Sequence, residues 1–435
     1  MMVAASHVHI HPFRGNRIPR WRKWRDLGYT SLTLLEFLGN KMKRRSLFAL
    51  VGLMGLGSGA LSCGLDKPPK CVYRDAKALA ENAATAMLDA KLIPVGNNFV
   101  VAGMDGMTAS WASLTAAGVV GAASTFTLTE TPVIPPQVAI TSRATPGDQL
   151  VVVYGIMNAQ MQIELRAVTQ FGGEPAAAPV SVKVLPAGLA LTDVRVTVGS
   201  SRTGQRALLA WGLAEQPGTK IETILLGANG ALAGTPISFD APDSWKCLQF
   251  VPSRSDWGLS WVRLPATGNP WFVVEEGRDS NFSLARFNVS LSTAVEVGCP
   301  SVVTSDRGYL IAWQTLKGTW VSDYNIAAGA VNPNFVAGAV RFGNQADQPP
   351  IAGLTAMGLD TAVTFGVKTG PQVWLFNAFG ALIGDPLKLP APKGNVGPVS
   401  TSSTTSAFFT TYREGTAAVP DEGPRWFTKV ECPTN

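Results

Sequence analysis

One strand pattern recurs along this chain at a nearly fixed interval, and that interval limits the fold more than any other feature. Each copy reads as several apolar residues, then a marker that is usually aromatic, then often glycine. The clearest copies are Leu150–Gly155, Ala207–Gly212, Gly258–Trp261, Tyr309–Trp313, Ala362–Gly366 and Phe408–Tyr412, with a weaker one at Phe99–Gly103. The markers are Ala102, Tyr154, Trp211, Trp261, Trp313, Phe365 and Tyr412, at spacings of 52, 57, 50, 52, 52 and 47 residues. Repeats with a period of 20–50 residues signal solenoids, propellers or arrays.

The flanks recur with the markers. An earlier strand, often opened by proline, precedes most copies, as at Pro136–Ile140, Pro300–Val303, Pro349–Ala352 and Gly397–Ser400. A third strand, a glycine-centred turn and a fourth apolar segment follow, most clearly at Ile224–Ile237 and Trp374–Leu387. Val, Ile, Thr and aromatic residues fill the strands, and Gly, Pro, Asn and Asp fill the gaps. Glycine and proline number 44 and 30, and charged residues are only 15% of the chain, which disfavours disorder and coiled coil. A lone four-stranded unit cannot bury both of its faces, whereas radially stacked units can. The expected fold is all-β, a β-propeller of seven blades with about four strands each. A row of β-sandwich domains would repeat at about twice this period. Eight or six blades remain open. Eight would follow if Asp75–Val95 formed a strand pair rather than the helix its Ala-rich composition also permits. The repeats resemble the β-propeller repeats of predicted secreted lipoproteins of Gram-negative bacteria, over residues ~96–432. The likeness is to an architecture and implies no particular activity.

The front of the chain carries an export address. Lys43, Arg44 and Arg45 precede the uncharged run Leu47–Ala60, and Leu61, Ser62, Cys63 and Gly64 follow. That is the order of a secretory signal, and the run is too short to span a bilayer as a stable helix. Ala60-Leu61-Ser62-Cys63 resembles the lipobox of bacterial lipoproteins. The resemblance implies that Cys63 is lipidated and becomes the first mature residue, and Gly64 implies passage to the outer membrane. Residues 1–41 read as a leader ahead of a start at Met42, with a basic amphipathic leader as the alternative. The expected division is leader 1–41, signal peptide 42–62, anchor, linker and closing strand 63–95, and propeller 96–435.

This address accounts for the basic balance. The formal charge is +6, but residues 1–62 hold ten Lys/Arg and two Asp/Glu. That leaves 26 of the 36 basic and 28 of the 30 acidic residues for 63–435, a net of −2. No basic cluster suited to tracking phosphates remains, so nucleic acid is not an expected partner. The three histidines are His7, His9 and His11, all ahead of the signal. The mature segment therefore has no His-activated nucleophile and no His-ligated metal, and no cofactor is expected.

The seventh copy supplies only three strands. Val72-Tyr73-Arg74, next to Cys71, is expected to add the outer strand and close the ring, so that no unpaired edge is left there. Closure would bring Cys71 beside Cys432. Cys247 lies at the first strand of the fourth blade and Cys299 just before that of the fifth. Disulfides Cys71–Cys432 and Cys247–Cys299 are therefore expected, although four cysteines allow three pairings. Each would be worth roughly 4–5 kcal/mol on the chain-entropy estimate.

Chemistry is harder to place. Glu275 and Glu276 are adjacent and near several aromatics, but neighbours on a strand point to opposite faces and cannot flank one bond. They read as a solvated strand end. Trp245 and Trp257 fall in expected loops and are the candidate ligand-stacking residues. Asp256–Trp261 partly resembles the Asp-box of sialidase-type propellers, with Arg254 where serine belongs and the wrong place between strands. The resulting expectation is a lipid-anchored monomer at the outer membrane that acts as a binding or scaffolding module in the cell envelope, with a protein or glycan as the ligand at the mouth of the ring, without catalysis. The alternative is a His-independent carbohydrate-active hydrolase or lyase of the same fold.

Overall fold

The structure is a computed structural model. It describes residues 72–431, interrupted at 143–147, 173, 202–205, 228–231, 252–256, 269, 278–284, 291–298, 306–307, 316–317, 326–329, 332–350, 358–359, 366–370, 377–382, 384, 391–394, 405–406 and 416–422. The described part is almost entirely β-strand. It opens with β1 (Val72–Ala78) and a single helical turn, α1 (Ala83–Ala86). The first blade is β2 (Lys91–Val95), β3 (Asn98–Asp105), β4 (Thr108–Leu114) and β5 (Val120–Thr127). The second is β6 (Ile134–Ser142), β7 (Asp148–Met157), β8 (Ile163–Phe171) and β9 (Val180–Val184). The third is β10 (Val194–Ser200), β11 (Ala207–Leu213), β12 (Thr219–Leu226) and β13 (Leu232–Ala241). The fourth is β14 (Ser244–Val251), β15 (Trp257–Leu264), β16 (Trp271–Gly277) and β17 (Ala285–Ser290). The fifth is β18 (Ser301–Thr304), β19 (Gly308–Thr315), β20 (Gly318–Asn325) and β21 (Ala330–Val331). The sixth is β22 (Ile351–Met357), β23 (Asp360–Phe365), β24 (Gln372–Phe376) and β25 (Leu387–Lys388). The last combines β26 (Asn395–Ser403), β27 (Ala407–Gly415) and β28 (Arg425–Glu431) with β1. The described strands thus form seven four-stranded antiparallel sheets, each a meander apart from the closing one. The first inner strand, β2, lies ahead of residue 96, inside the segment read as anchor, linker and closing strand.

The core is divided among the seams between blades. Each pair of neighbouring blades shares one buried apolar cluster, so every sheet contributes alternate residues to two clusters. This follows from the period-2 alternation of strands whose two faces are both covered. The markers lie on the second strand of each blade. Tyr154, Trp211, Trp261, Trp313 and Tyr412 all join the cluster shared with the preceding blade. Ala102 faces the following blade instead, and Phe99 and Val101 take the inward position toward the last blade. The weakest copy of the repeat is therefore one residue out of phase with the others.

Closure occurs as expected. β1 runs antiparallel to β28, with Val72 opposite Glu431, Tyr73 opposite Val430 and Arg74 opposite Lys429. The segment after β1 is also fastened. Asn82 caps α1, its Oδ1 accepting from the Ala84 and Thr85 amides at 3.0 Å each, and Thr85 Oγ1 accepts from the Asn82 amide at 2.9 Å. At the other end, orphan carbonyls are taken up by two arginines of the last blade. Arg425 donates to Thr85 O at 3.0 Å, to Leu88 O at 3.1 Å and to Met87 O, while Arg413 donates to Ala86 O. Burial, then the charge of Arg413, brings Arg425 down to about 10. Cys71, Cys432 and Cys63 lie outside the described residues, as do the leader and signal segments.

Two sequence expectations are corrected. Trp245 and Trp257 are in strands, not loops, and both are fully buried at 0% exposure. Their room comes from glycines. A Cβ on Gly212 would lie 2.7 Å from the Trp245 ring, and one on Gly277, directly opposite Trp257, would lie 1.9 Å from that ring. Glu275 and Glu276 are likewise buried, at 0% and 6%, rather than a solvated strand end. Gly277→Ala is expected to lower the free energy of unfolding by about 1–3 kcal/mol through overpacking of Trp257. Urea unfolding followed by tryptophan fluorescence measures it, and an unchanged midpoint would contradict the packing described.

Candidate functional site

In every blade the inner strand begins beside the end of the second strand and the start of the third, so these strand ends share one rim. Charged side chains gather at this rim. Of the described ion pairs, all but Lys429–Glu431 sit there.

The most connected group belongs to the second blade. Arg166, near the start of β8, is directly opposite the marker Tyr154 on β7. Its Nε donates to Glu164 Oε1 at 3.1 Å and one Nη to Glu164 Oε2 at 3.2 Å, a fork-to-fork pair. Its other Nη donates to Glu130, in the connection leading to β6. Tyr154 Oη donates to the second oxygen of Glu130 at 3.1 Å. The side chains of Arg166 and Glu130 keep 24% and 31% exposure. Glu164 is held below the usual carboxylate range by its bonds from Arg166 and then Ser181. Arg166 is raised chiefly by Glu164. Burial, reinforced by the bond to Glu130, pushes Tyr154 well above the usual phenol range.

The third blade repeats the placement with different residues. Its marker Trp211 is opposite Glu222, and Trp211 Nε1 donates to Glu222 Oε2 at 2.9 Å. Lys183 of the second blade reaches the same carboxylate at 3.3 Å, across the seam. On the fourth blade Arg263 Nε donates to Asp243 Oδ2 at 3.0 Å. In the last blade Trp426, opposite the marker Tyr412, donates from Nε1 to Glu414 Oε2 at 2.8 Å. In the second, third and last blades a polar bond ties an aromatic at the marker position, or directly across from it, to a rim carboxylate.

This arrangement suits recognition better than bond cleavage. Glu164 and Glu130 are both engaged by Arg166, and Tyr154 is a hydrogen-bond donor whose proton is held tightly. A general base needs the opposite environment. No group of three or more His, Cys, Asp or Glu able to hold a metal ion occurs among the described residues.

Of the sequence candidates, Cys247 and Cys299, 52 positions apart in sequence, are joined in a disulfide with Cα atoms 5.4 Å apart. Cys247 lies within β14 at a register shift between Lys246 and Gln249, with φ of 62°. Trp245 and Trp257 are withdrawn from the candidate site by their burial. Asp256 lies outside the described residues. Glu130, Arg166 and Glu222 were missed. Arg166 and Glu222 share one sequence signal, the position across from a marker, which needs the strand register to be read, whereas Glu130 lies in a connection and carries none.

No protein-family model matches the chain, and no curated protein matches it. Among solved structures it is similar to the polysaccharide lyase Uly1, with 8% identity and a TM-score of 0.50 over 85% of this chain and 98% of that one. It is also similar to a prolyl endopeptidase structure at 14% identity and a TM-score of 0.42, covering 79% of this chain and 46% of that one. This chain thus spans less than half of that protein. The β-propeller domain of the Trilobed protease from Pyrococcus furiosus matches at 8% identity and a TM-score of 0.41, over 79% and 97% of the two chains. At such identities the likeness is one of fold. The fold is a β-propeller.

Glu164 generates a pH prediction. Its folded-state pKa is depressed, so its contribution to stability is complete above the unfolded value of about 4.3 and is lost as pH falls through the folded value. Glu164→Gln should unfold more easily at neutral pH and show a shallower loss of stability below about pH 4. Denaturant titrations at stepped pH test this; parallel curves for variant and wild type would refute the role of Glu164.

Proposed function

We propose that this chain is an exported, lipid-anchored β-propeller that recognises a protein or glycan through the rim where its inner strands begin. Cys63 carries the lipid in this reading, and the outer membrane is the site of action. The observation that carries it is the gathering of paired, hydrogen-bonded charges at that one rim, with a partly exposed Arg166–Glu130 pair at its most connected point. Fixed charges with donors and acceptors already oriented recognise a polar ligand with little further ordering. The Cys247–Cys299 disulfide supports export, since such bonds persist in oxidising compartments and are rare in the cytosol. With a net charge of −2 on residues 63–435, nucleic acid stays outside the proposed partners.

The competing reading is a carbohydrate-active lyase or hydrolase, favoured by the structural likeness to a polysaccharide lyase. Tyr154 argues against it at the second blade, because burial and Glu130 oppose loss of its proton. Incubation of the purified protein with a panel of acidic and neutral polysaccharides is expected to give binding without new reducing or unsaturated ends. Turnover abolished by Arg166→Met would establish catalysis instead. For the anchor, Cys63→Ser is expected to shift the protein from the membrane to the soluble envelope fraction, and intact-mass analysis should show an acylated Cys63 in the wild type. An unmodified Cys63 would end the lipoprotein reading.

A further inference from the structure

Each blade ends in an outer strand with one unpaired edge, and an unpaired edge invites another strand. The seven outer strands are protected unequally. β1 carries Arg74, Asp75 and Lys77, β9 is short and carries Lys183, and β17 carries Arg286. β13 holds Pro236 and Asp240, while β21 and β25 are two residues long. These are the devices that keep sheet edges from pairing. β5 has none of them. It is eight residues long, VGAASTFT, without a charge or a proline.

Only the first end of β5 is blocked. The ladder to β4 shifts register between Ala112 and Leu114, and Asn82 Nδ2 donates to Gly121 O at 3.1 Å. Beyond this the strand runs regularly from Ala123, opposite Ala112, to Thr127, opposite Thr108. The Leu128 amide bonds inward to Met107 O at 2.8 Å. Antiparallel alternation then points the backbone groups of Ala123, Thr125 and Thr127 away from β4. No described strand pairs with that edge.

We propose that β5 pairs with the same strand of a second copy of this chain, antiparallel across a two-fold axis at Thr125. The outward backbone groups fix that register. Thr125 faces Thr125 of the partner subunit, Ala123 faces Thr127 of the partner subunit, and Ser124 faces Phe126 of the partner subunit. The segment is self-complementary, with a Thr–Thr pair at the centre, small residues against larger ones and no like charges opposed. A two-fold contact of this kind closes on itself. Pairing through one short edge buries little area compared with a standard interface of about 1,600 Å², so the dimer is weak in dilute solution. The proposal departs from the monomer expected from the sequence.

The register is tested by crosslinking the purified full chain. Opposite residues in a hydrogen-bonded antiparallel pair have Cα atoms about 5.5 Å apart, within disulfide reach. Thr125→Cys is expected to give a covalent dimer under mild oxidation. Thr127→Cys, about 13 Å from its own copy in this register, is expected to give no more dimer than the wild type. Thr125 is exposed, so Thr125→Lys should fold with an unchanged thermal midpoint while losing the concentration-dependent dimer that the wild type is expected to show in sedimentation equilibrium. Equal crosslinking of the two cysteine variants, absence of crosslinking in both, or a dimer that survives Thr125→Lys would overturn the proposal. A failure here leaves the ligand reading of the charged rim untouched, because β5 takes no part in that rim's ion pairs.

Discussion

The pairing of β1 with β28 is the interaction on which the rest depends. Every seam cluster needs a blade on both sides, so a ring left open would expose two sheet faces and one strand edge. The closing pair joins residues more than three hundred positions apart in sequence, and a contact so distant costs loop entropy before it returns any stability. The clamp by Arg413 and Arg425 helps to offset that cost. Between them they hold the carbonyls of Thr85, Ala86, Met87 and Leu88, so the segment after β1 is fixed to the same blade that β1 completes. The charges of the two arginines repel, and the carbonyls at the end of α1 supply the partial negative charge that makes the arrangement tolerable.

A closed ring creates a second problem at its axis. Each inner strand has one edge without a strand partner, and its backbone groups still need bonds. Side chains of neighbouring blades supply some of them. Ser400 accepts from the Leu92 amide and Ser200 from the Ile140 amide, both at 2.9 Å, and Gln137 donates to Val196 O at 2.7 Å. Gln249 donates to Pro300 O across the seam that the Cys247–Cys299 disulfide also bridges. Polar residues on inner strands therefore knit blades together, while the ion pairs gather at strand ends.

Much of this fold was legible in the sequence because a propeller repeats one local pattern. The markers fell on second strands, most of the strands before and after them lie where they were expected, although the inner strand of the first blade does not, and the closing strand was found by counting what the last copy lacked. The tryptophans were misread for a physical reason. Trp245 and Trp257 stand beside Pro242, Pro252 and polar residues, which look like loops, yet their rings are seated over Gly212 and Gly277 in other strands. The Ala102 copy went out of phase because Phe99, Val100, Val101 and Ala102 are all apolar, and a run buried on both faces carries no alternation to set its phase.

The repeat, the all-β class and the strand that closes the ring can be read from the chain alone, because each depends on local spacing or on counting. The choice among the cysteine pairings, and which residues meet at the rim, came from the packing in three dimensions. Glu130, Tyr154, Glu164 and Arg166 lie on a connection and two strands, and they meet because the register sets Tyr154 opposite Arg166. That register is fixed by packing on both sheet faces at once. A shift of one residue would exchange the faces and scatter the group.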